Sequence, residues 1–500
     1  MTQFEPRLIA GVAKGIAVAC CSAGLGLLLF LSLHRYLALW RWWRRRAPEP
    51  PPAQAPADWP PVTVQIPLYN ERVVAVRLIE AAARLSYPLD RLQIQVLDDS
   101  TDETTGLAAA AIRRHRARGV DISLLRRRER EGYKAGALAT GLRCATGEFI
   151  AVLDADFVPW PDFLERTVPR FADPQVGMVH ARWTHLNRDQ SLLTSAQAVM
   201  LDAHFFVEHL MRMQSGLYFN FNGTAGVWRK QCIEESGGWS HDTLTEDLDL
   251  SYRAQLAGWR FVFDASTDVP AELPANMAAV KAQQHRWAKG SIQTARKLLP
   301  RILASRLPLR VKLESLVHLT SNAAYPLLLG LTLALLPVLP ARAAASPGLL
   351  DWIQGAALAC GLGPVVLFLA VGQRVAGLRG WRVVRDVSAA LVLLSGLAVN
   401  NTRAVLEGLG PQLGQWERTP KTGQGGDRAA VRDYPRSRSP VGRVELVLAG
   451  TLMAMVLCAP HGEQLRVLPL VLLMIAGLAV VGAATALGGG ERKLPGRFRG

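Results

Sequence analysis

Apolar and polar positions divide the chain into three stretches, apolar toward both ends and alternating in the middle. Gly15 to Leu33 is an uncharged, mostly apolar run of the length that spans a bilayer. Arg41, Arg44, Arg45 and Arg46 come after it, interleaved with Trp40, Trp42 and Trp43 as an interfacial aromatic belt. No small-residue cleavage site comes next, only His34-Arg35-Tyr36, so the run reads as a transmembrane anchor rather than a signal peptide. The chain beyond the anchor is then expected on the cytoplasmic side. Pro48 to Pro61 is a Pro/Ala-rich linker that stiffens the exit from the membrane.

From Val62 short β-rich runs alternate with helical ones. Val62–Pro67, Leu92–Leu97, Phe149–Leu153 and Val176–Ala181 predict buried strands, with helices at Arg72–Leu85 and Glu103–Arg118 between them. That alternation argues an α/β domain with a mainly parallel sheet. Leu248–Ala257 predicts a helix, with Thr245 as its N-cap and Gly258 as its stop. Ala279–Leu299 predicts another.

Beyond Leu299 the apolar runs return. Leu313–Leu339, Leu349–Val371, Val444–Ala459 and Leu465–Leu487 are long enough to span, and a basic tail, Glu491–Gly500, closes the chain. Val387–Val399 is shorter: about thirteen residues cover roughly 20 Å at the helical rise, against a core of roughly 30 Å. As a sixth span it would also put the basic loop Gly408–Pro440 and the tail outside, against the positive-inside rule. Laid flat at the interface it leaves five spans, with loop, tail and α/β domain all inside.

Five hundred residues exceed one ordinary core. The net charge of +16 reads as the cytoplasmic excess of a membrane protein rather than as a nucleic-acid surface, because half the residues are hydrophobic and their runs are long. Six cysteines without Cys-x-x-Cys spacing indicate neither a disulfide framework nor a zinc site.

Four polar clusters carry the chemistry. Ligands of parallel sheets sit beyond the carboxyl ends of the strands, where Asp98-Asp99 and Asp154-Ala155-Asp156 both fall. Two carboxylates at a strand end suit a hard cation whose shell substrate phosphates complete. Alone, Glu246 and Asp247 only complement a helix dipole; beside the other clusters they offer a base that deprotonates a hydroxyl. Gln283, Arg286 and Trp287 share one helix face. Arginine's planar fork suits a departing diphosphate, and tryptophan offers a plate for a sugar ring. No Gly-x-Gly-x-x-Gly or Walker lysine is present, so phosphates are held another way. His204, Glu208 and His209 imitate a zinc motif, but their spacing is one residue off, and they read as part of an ordinary helix beside Phe205 and Phe206.

This set resembles the processive family 2 glycosyltransferases of the cellulose synthase superfamily. The similarity is greatest to the cellulose synthase-like A group, the mannan and glucomannan synthases of plants, and their bacterial relatives. It rests on Pro67-Leu68-Tyr69-Asn70-Glu71, Asp98-Asp99-Ser100-Thr101-Asp102, Gly132-Tyr133-Lys134-Ala135-Gly136, Phe221-Asn222-Gly223-Thr224 and Gln283-Gln284-His285-Arg286-Trp287, and covers Val62 to about Leu299. It implies a GT-A-like cytoplasmic domain inserted between transmembrane helices, and an inverting, single-displacement hexosyl transfer from a nucleotide sugar to a growing β-linked chain. By the same resemblance, Asp154 and Asp156 hold Mg²⁺ or Mn²⁺, while Asp98, Asp99, Lys134 and Asp154 meet the nucleotide sugar. Asp247, with Glu246 beside it, is the general base; Arg286 clamps the diphosphate, and Trp287 with Gln283 meets the acceptor. Trp416 to Lys421 is similar to the gating loop of cellulose synthases, with Thr419 and Lys421 as its polar residues and Trp416 and Arg418 departing from the pattern. The donor stays open between GDP-mannose and UDP-glucose.

The expected organisation is an anchor (1–46), linker (47–61), transferase domain (62–299), two spans led by an interface helix (300–380), interface helix and gating loop (381–442), and two spans with the tail (443–500). Such a chain belongs in an inner (plasma) membrane, polymerising a mannan, glucomannan or glucan, with accessory export subunits as further partners. A transferase that glycosylates a membrane lipid is the alternative. A transporter with a regulatory domain would place more ionisable residues in its spans.

Overall fold

The structure is a computed structural model describing residues 4–44, 54–335, 349–414, 421, 441–458 and 468–487. One continuous helix, α1 (Phe4–Arg44), runs through the expected anchor. Its aromatic end does not act as a uniform belt: Trp40 and Trp43 are exposed, whereas Trp42 is buried with Ala38 and Leu39 against the α/β domain.

The domain continues in chain order as β1 (Val62–Leu68), α2 (Ala75–Ala82), β2 (Leu92–Asp98), α3 (Thr104–Arg116), β3 (Ile122–Arg126), α4 (Tyr133–Arg143), β4 (Phe149–Val152), β5 (Val176–His185), α5 (Leu192–Ala203), β6 (Gly226–Arg229), α6 (Glu246–Leu256), β7 (Arg260–Ala271) and α7 (Met277–Ala304). The strands form one sheet in the order β3-β2-β1-β4-β6-β5-β7. Only β6 runs against its neighbours, so the sheet is mixed but mainly parallel, as expected. Three strands had no signal of their own. β3 is an edge strand, β6 has four residues, and β7 carries Asp264, Ser266, Thr267 and Asp268; each is held by pairing to a neighbour. β5 extends past the expected Ala181 to His185 for the same reason, since β7 runs beside it as far as Ala271.

Register places the chemistry. Leu68 lies opposite Asp98, and Val62 opposite both Leu92 and Phe149, so the carboxyl ends of β1, β2 and β4 lie side by side. Val64, Ile66, Leu78, Ile79 and Ile94 are fully buried on one side of the sheet, and Phe205, Phe219, Phe221 and Trp228 fill the other.

After α7 come α8 (Leu309–Thr320), α9 (Ala324–Leu335), α10 (Leu349–Val375), α11 (Trp381–Gly396), α12 (Ala398–Leu409), α13 (Val441–Cys458) and α14 (Leu468–Leu487). Among the described residues, three segments are long and apolar enough to cross a membrane: Leu309–Leu333, which joins α8 and α9, then Val441–Cys458 and Leu468–Leu487. The short run Val387–Val399 is part of a longer pair, α11 and α12, bent by 50° and together passing the same test. Its polar flank escapes a reading by apolar runs because Asp386 is buried and neutralised, at 2.7 Å from Arg385 and 3.7 Å from Arg188 of the domain. The basic tail and Thr419 lie outside the described residues.

Domain and helices share a core, in which Val199 and Ala203 of α5 pack with Phe368 and Leu369 of α10 and Leu393 of α11. The crossing is tight. A Cβ on Gly372 would fall 2.6 Å from the Ala203 Cα, so glycine there lets the two helices touch. A buried ion pair adds a second join: Lys281 Nζ of α7 lies 2.9 Å from both carboxylate oxygens of Glu445 in α13.

Candidate functional site

The strand ends open into a cleft of about 140 Å³ that gathers Asp99, Lys134, Asp154, Asp156, Asn222, Glu246, Asp247, Gln283, Arg286, Trp287 and Lys421. Residues from distant parts of the chain meet here, most of them those the sequence singles out.

Asp98 does not line the cleft. It is buried at the end of β2, where its Oδ1 accepts from the Ser100 amide at 2.9 Å and its Oδ2 from Thr105 Oγ1 at 2.6 Å. It shapes the loop, and its neighbour Asp99 faces the cleft, gripped by Arg127 Nε at 3.0 Å. The loop is further tied to β1: the Thr101 amide donates to Asn70 Oδ1 at 2.8 Å.

After β4, Asp154 is held by the Lys134 ammonium at 2.6 Å, and that lysine also donates to the Gly223 carbonyl at 2.9 Å. Burial works against a charged Lys134, but Asp154, Glu246 and Asp247 outweigh it and raise its pKa. Asp156, largely buried, receives the ammonium of Lys421. The expected gating loop therefore reaches the cleft through the one residue of it that is described. No group of three or more His, Cys, Asp or Glu converges on a metal position among the described residues. Two carboxylates with oxygen donors fit Mg²⁺ or Mn²⁺, whose remaining ligands come from phosphates and water.

Glu246 and Asp247 open α6. Thr245 stands at the N-cap position without capping; its hydroxyl turns instead toward Thr294 Oγ1 of α7 at 3.2 Å. A helix N-terminus ordinarily lowers an aspartate pKa. Here burial, then the neighbouring Glu246 carboxylate, push Asp247 up to about 7, against Lys134, the Leu248 amide and Arg286. A carboxyl titrating near neutrality is suited to take a proton from a hydroxyl. Gly223 makes the room: its φ is +86°, and a Cβ there would lie 3.0 Å from Asp247 Oδ2 and 3.3 Å from Lys134 Nζ.

On α7, whose first turn is capped by Asn276 Oδ1 accepting from the Ala279 amide at 2.9 Å, Gln283, Arg286 and Trp287 all face the cleft. Asp247 and Trp287 also line a second, larger cavity of about 520 Å³ reaching into the helical layer. His204 to His209 form no zinc site and, contrary to expectation, no ordinary helix. They make one π-helical turn after α5, with His204 Nδ1 3.0 Å from Glu208 Oε2. Among the residues missed by sequence reasoning are His180 and Asn222. Buried His180 meets Asn222 Oδ1 at 3.0 Å through Nε2 and the Ala225 carbonyl at 3.2 Å through Nδ1. Burial lowers its pKa to about 4, so it stays neutral. A lone histidine in an apolar strand gives no signal, and Asn222 lies within Phe221-Asn222-Gly223-Thr224 with nothing in that motif to give it a role.

Sheet order, strand-end carboxylates and a buried carboxyl at a helix start make up a GT-A-like fold. Residues 60–290, a little under half of the chain, match the Glycosyltransferase like family 2. Among curated relatives, the probable glucomannan 4-beta-mannosyltransferase 6 of Oryza sativa subsp. japonica is 45% identical over 255 residues, which cover 50% of this chain and 44% of the relative. The probable glucomannan 4-beta-mannosyltransferase 11 of Arabidopsis thaliana is 45% identical over 254 residues, 50% of this chain and 57% of the relative. The chain thus spans about half the length of the curated relatives it matches. The expected kinship with glucomannan synthases is borne out over this region. A solved mannosyltransferase from Pyrobaculum calidifontis, in complex with GDP-Man and Mn²⁺, superposes with a TM-score of 0.52 at 24% identity, covering 79% of this chain and 99% of that one; it shows the shared fold.

Proposed function

We propose that the chain is a membrane-embedded inverting hexosyltransferase that extends a β-linked polysaccharide, a mannan or glucomannan, from GDP-mannose. The observation that carries this is the position of Asp247. It lines both the charged cleft and the cavity that leads into the helices, and burial with the neighbouring Glu246 carboxylate raises its pKa. The named activities of the relatives and the GDP-Man bound by the structural neighbour favour a mannosyl donor. The domain faces the cytoplasm at the inner (plasma) membrane, and the helical segments carry the product outward.

In this mechanism Asp99 and Lys134 bind the nucleotide diphosphate, and Arg286 forks onto its phosphates as it leaves. Asp247 takes the proton of the acceptor hydroxyl that attacks the anomeric carbon, with Glu246 helping to hold its pKa up. Trp287 stacks on the acceptor sugar, and Gln283 on the same face donates to it. Mg²⁺ or Mn²⁺ on Asp154 and Asp156 would supply charge neutralisation at the departing diphosphate. The ammonium groups of Lys134 and Lys421 pair with those two carboxylates, whose oxygens a bound metal would take.

A second reading, transfer of one sugar to a membrane lipid, draws on the aliphatic lining of the larger cavity. Membranes holding the protein are incubated with labelled GDP-mannose or UDP-glucose and Mn²⁺ or Mg²⁺, and the product is digested with β-mannanase and β-1,4-glucanase. An insoluble polymer cut by mannanase is expected. A label that extracts wholly into organic solvent favours the lipid reading, and no incorporation from either donor sinks both.

A further inference from the structure

A further cavity, of about 280 Å³, shares no lining residue with the two that meet at Asp247. Its walls are Trp40, Arg41 and Arg44 at the end of α1, Ser215 and Leu217 of the α/β domain, and Arg310 in the first turn of α8. Half of that lining is arginine, and no carboxylate is part of it.

Like charges gathered in one recess repel, so a counter-charge is called for. Arg41 has a share of one in Glu314 at 3.6 Å, but that carboxylate also serves His34 at 2.9 Å and Arg212 at 3.1 Å. Arg44 and Arg310 are exposed and form no ion pair among the described residues. Arg44 lies instead over the Trp40 ring, its guanidinium carbon 4.6 Å from the centroid. Stacking fixes the fork and leaves its N–H groups free to meet an anion.

Two other features point the same way. The first turn of α8 has neither a side-chain cap nor an acidic residue, so its free amides and dipole favour a negative charge. Ser215 Oγ is buried, on a residue that lines the recess, and has no hydrogen-bond partner among the described residues. Buried hydroxyls are ordinarily satisfied, and an anion in the recess would accept from this one.

The recess also stands at a boundary. α1 leaves the expected anchor here, and the apolar segment Leu309–Leu333 begins here. Leu37, Trp43, Leu309 and Leu313 are exposed on the same helix ends, so apolar surface flanks the charged pocket. A soluble anion needs no such flank, whereas a phospholipid brings a phosphate with acyl chains beside it. We propose that this recess binds an anionic phospholipid, its phosphodiester held by Arg41, Arg44, Arg310 and the Ser215 hydroxyl. One lipid seated there touches α1, α8 and the domain together, and so fixes how the domain stands on the membrane.

The test uses the full chain, purified in a neutral detergent. It is titrated by calorimetry with dioctanoyl phosphatidylglycerol, dioctanoyl phosphatidylcholine and inorganic phosphate. The anionic lipid is expected to bind at least about tenfold more tightly than either of the others. Arg44→Gln with Arg310→Gln should weaken it about twentyfold, from roughly fivefold for each arginine at an anionic surface. Arg44→Lys with Arg310→Lys should recover most of that loss, which a misfolded protein would not. Ser215→Ala removes a hydroxyl and no charge, and should weaken binding about threefold to tenfold. Arg113→Gln with Arg118→Gln, an equal loss of charge at exposed positions in and after α3, should leave affinity within about twofold. Equal binding of the two lipids overturns the site. So do equal losses in the two Arg→Gln pairs, which mean diffuse attraction, and wild-type affinity in Ser215→Ala, which means no seated phosphate. Inorganic phosphate that binds as tightly as the lipid and displaces it assigns the recess to a soluble anion and overturns the lipid. Sugar transfer, measured on the same preparations, is read separately. A selective lipid site without transfer sinks the transferase reading alone, and transfer without lipid selectivity sinks the site alone.

Discussion

Two hollows meet at Asp247, and they are built on opposite plans. The smaller, about 140 Å³, is walled by carboxylates and cations at the ends of β2 and β4 and along α7. The larger, about 520 Å³, mixes polar side chains such as Arg35, His204, Glu208 and Asn222 with a lining mostly of leucines and other apolar residues from the helical layer. In the first, charges are arranged around a space a charged ligand can enter: Lys134 on Asp154, Lys421 on Asp156. In the helical layer they cancel one another, as Lys281 and Glu445 do. The difference assigns the work. On the proposed reading, bond breaking, with its moving charge, belongs to the cleft, the second hollow receives a neutral chain, and Asp247, which lines both, takes its proton from one side and its electrostatic setting from the other.

The largest effect expected is from Asp247→Asn, which keeps shape but removes the base. Transfer should fall by about 10²–10⁴-fold or more, with donor affinity near normal; measured rates and donor binding on the same preparation check this. Asp156→Ala acts on the cleft alone. Loss of a direct ligand should weaken metal-dependent donor binding by at least the roughly tenfold to hundredfold that outer-shell changes cost. Titrations of donor with Mn²⁺ and with chelator read this, and equal affinity in both would remove Asp156 from the metal site. Trp287→Ala acts toward the second hollow. It should raise acceptor KM about tenfold, the worth of an aromatic plate, and leave donor hydrolysis unchanged; equal losses would make Trp287 a core residue only.

Two smaller effects sharpen the contrast through stability. Glu445→Ala strands the Lys281 ammonium and should cost about 3 kcal/mol, while the double change Lys281→Met with Glu445→Met should recover most of it; thermal unfolding of the two proteins decides. Folding raises the Asp247 carboxyl above its ordinary range, so the native state keeps a proton that the unfolded chain releases. That contribution is complete below about pH 4 and is lost as pH rises through about 7. Asp247→Asn, which cannot ionise, should therefore melt a few degrees above the wild type at about pH 8, an advantage that fades toward pH 4.

What the sequence disclosed and what it hid divide along the same line. The cleft was legible because its residues sit at strand ends and helix starts, where short motifs stand out. Asp154, Asp156, Asp247, Arg286 and Trp287 all arrive where their spacing puts them. Asp98 misled because two adjacent aspartates point to opposite sides of the chain, and only the fold decides which one faces the ligand. β3, β6 and β7 were hidden because neighbours, not their own pattern, hold them extended. The mouth of the larger cavity could not be read at all. Trp183, His204, Asn220 and Asp247 come from β5, a π-turn, a loop and α6, and no window along the chain contains them together.

The central claim is that one buried carboxylate, Asp247, takes the acceptor proton, and the pH dependence of kcat/KM for acceptor tests it most directly, because this ratio reports groups of the free enzyme. The profile should rise with pH along a single limb centred near 7, and the residual activity of Asp247→Asn should lack that limb. A wild-type profile flat from about pH 5.5 to 8.5, or an unchanged limb in Asp247→Asn, would contradict the account.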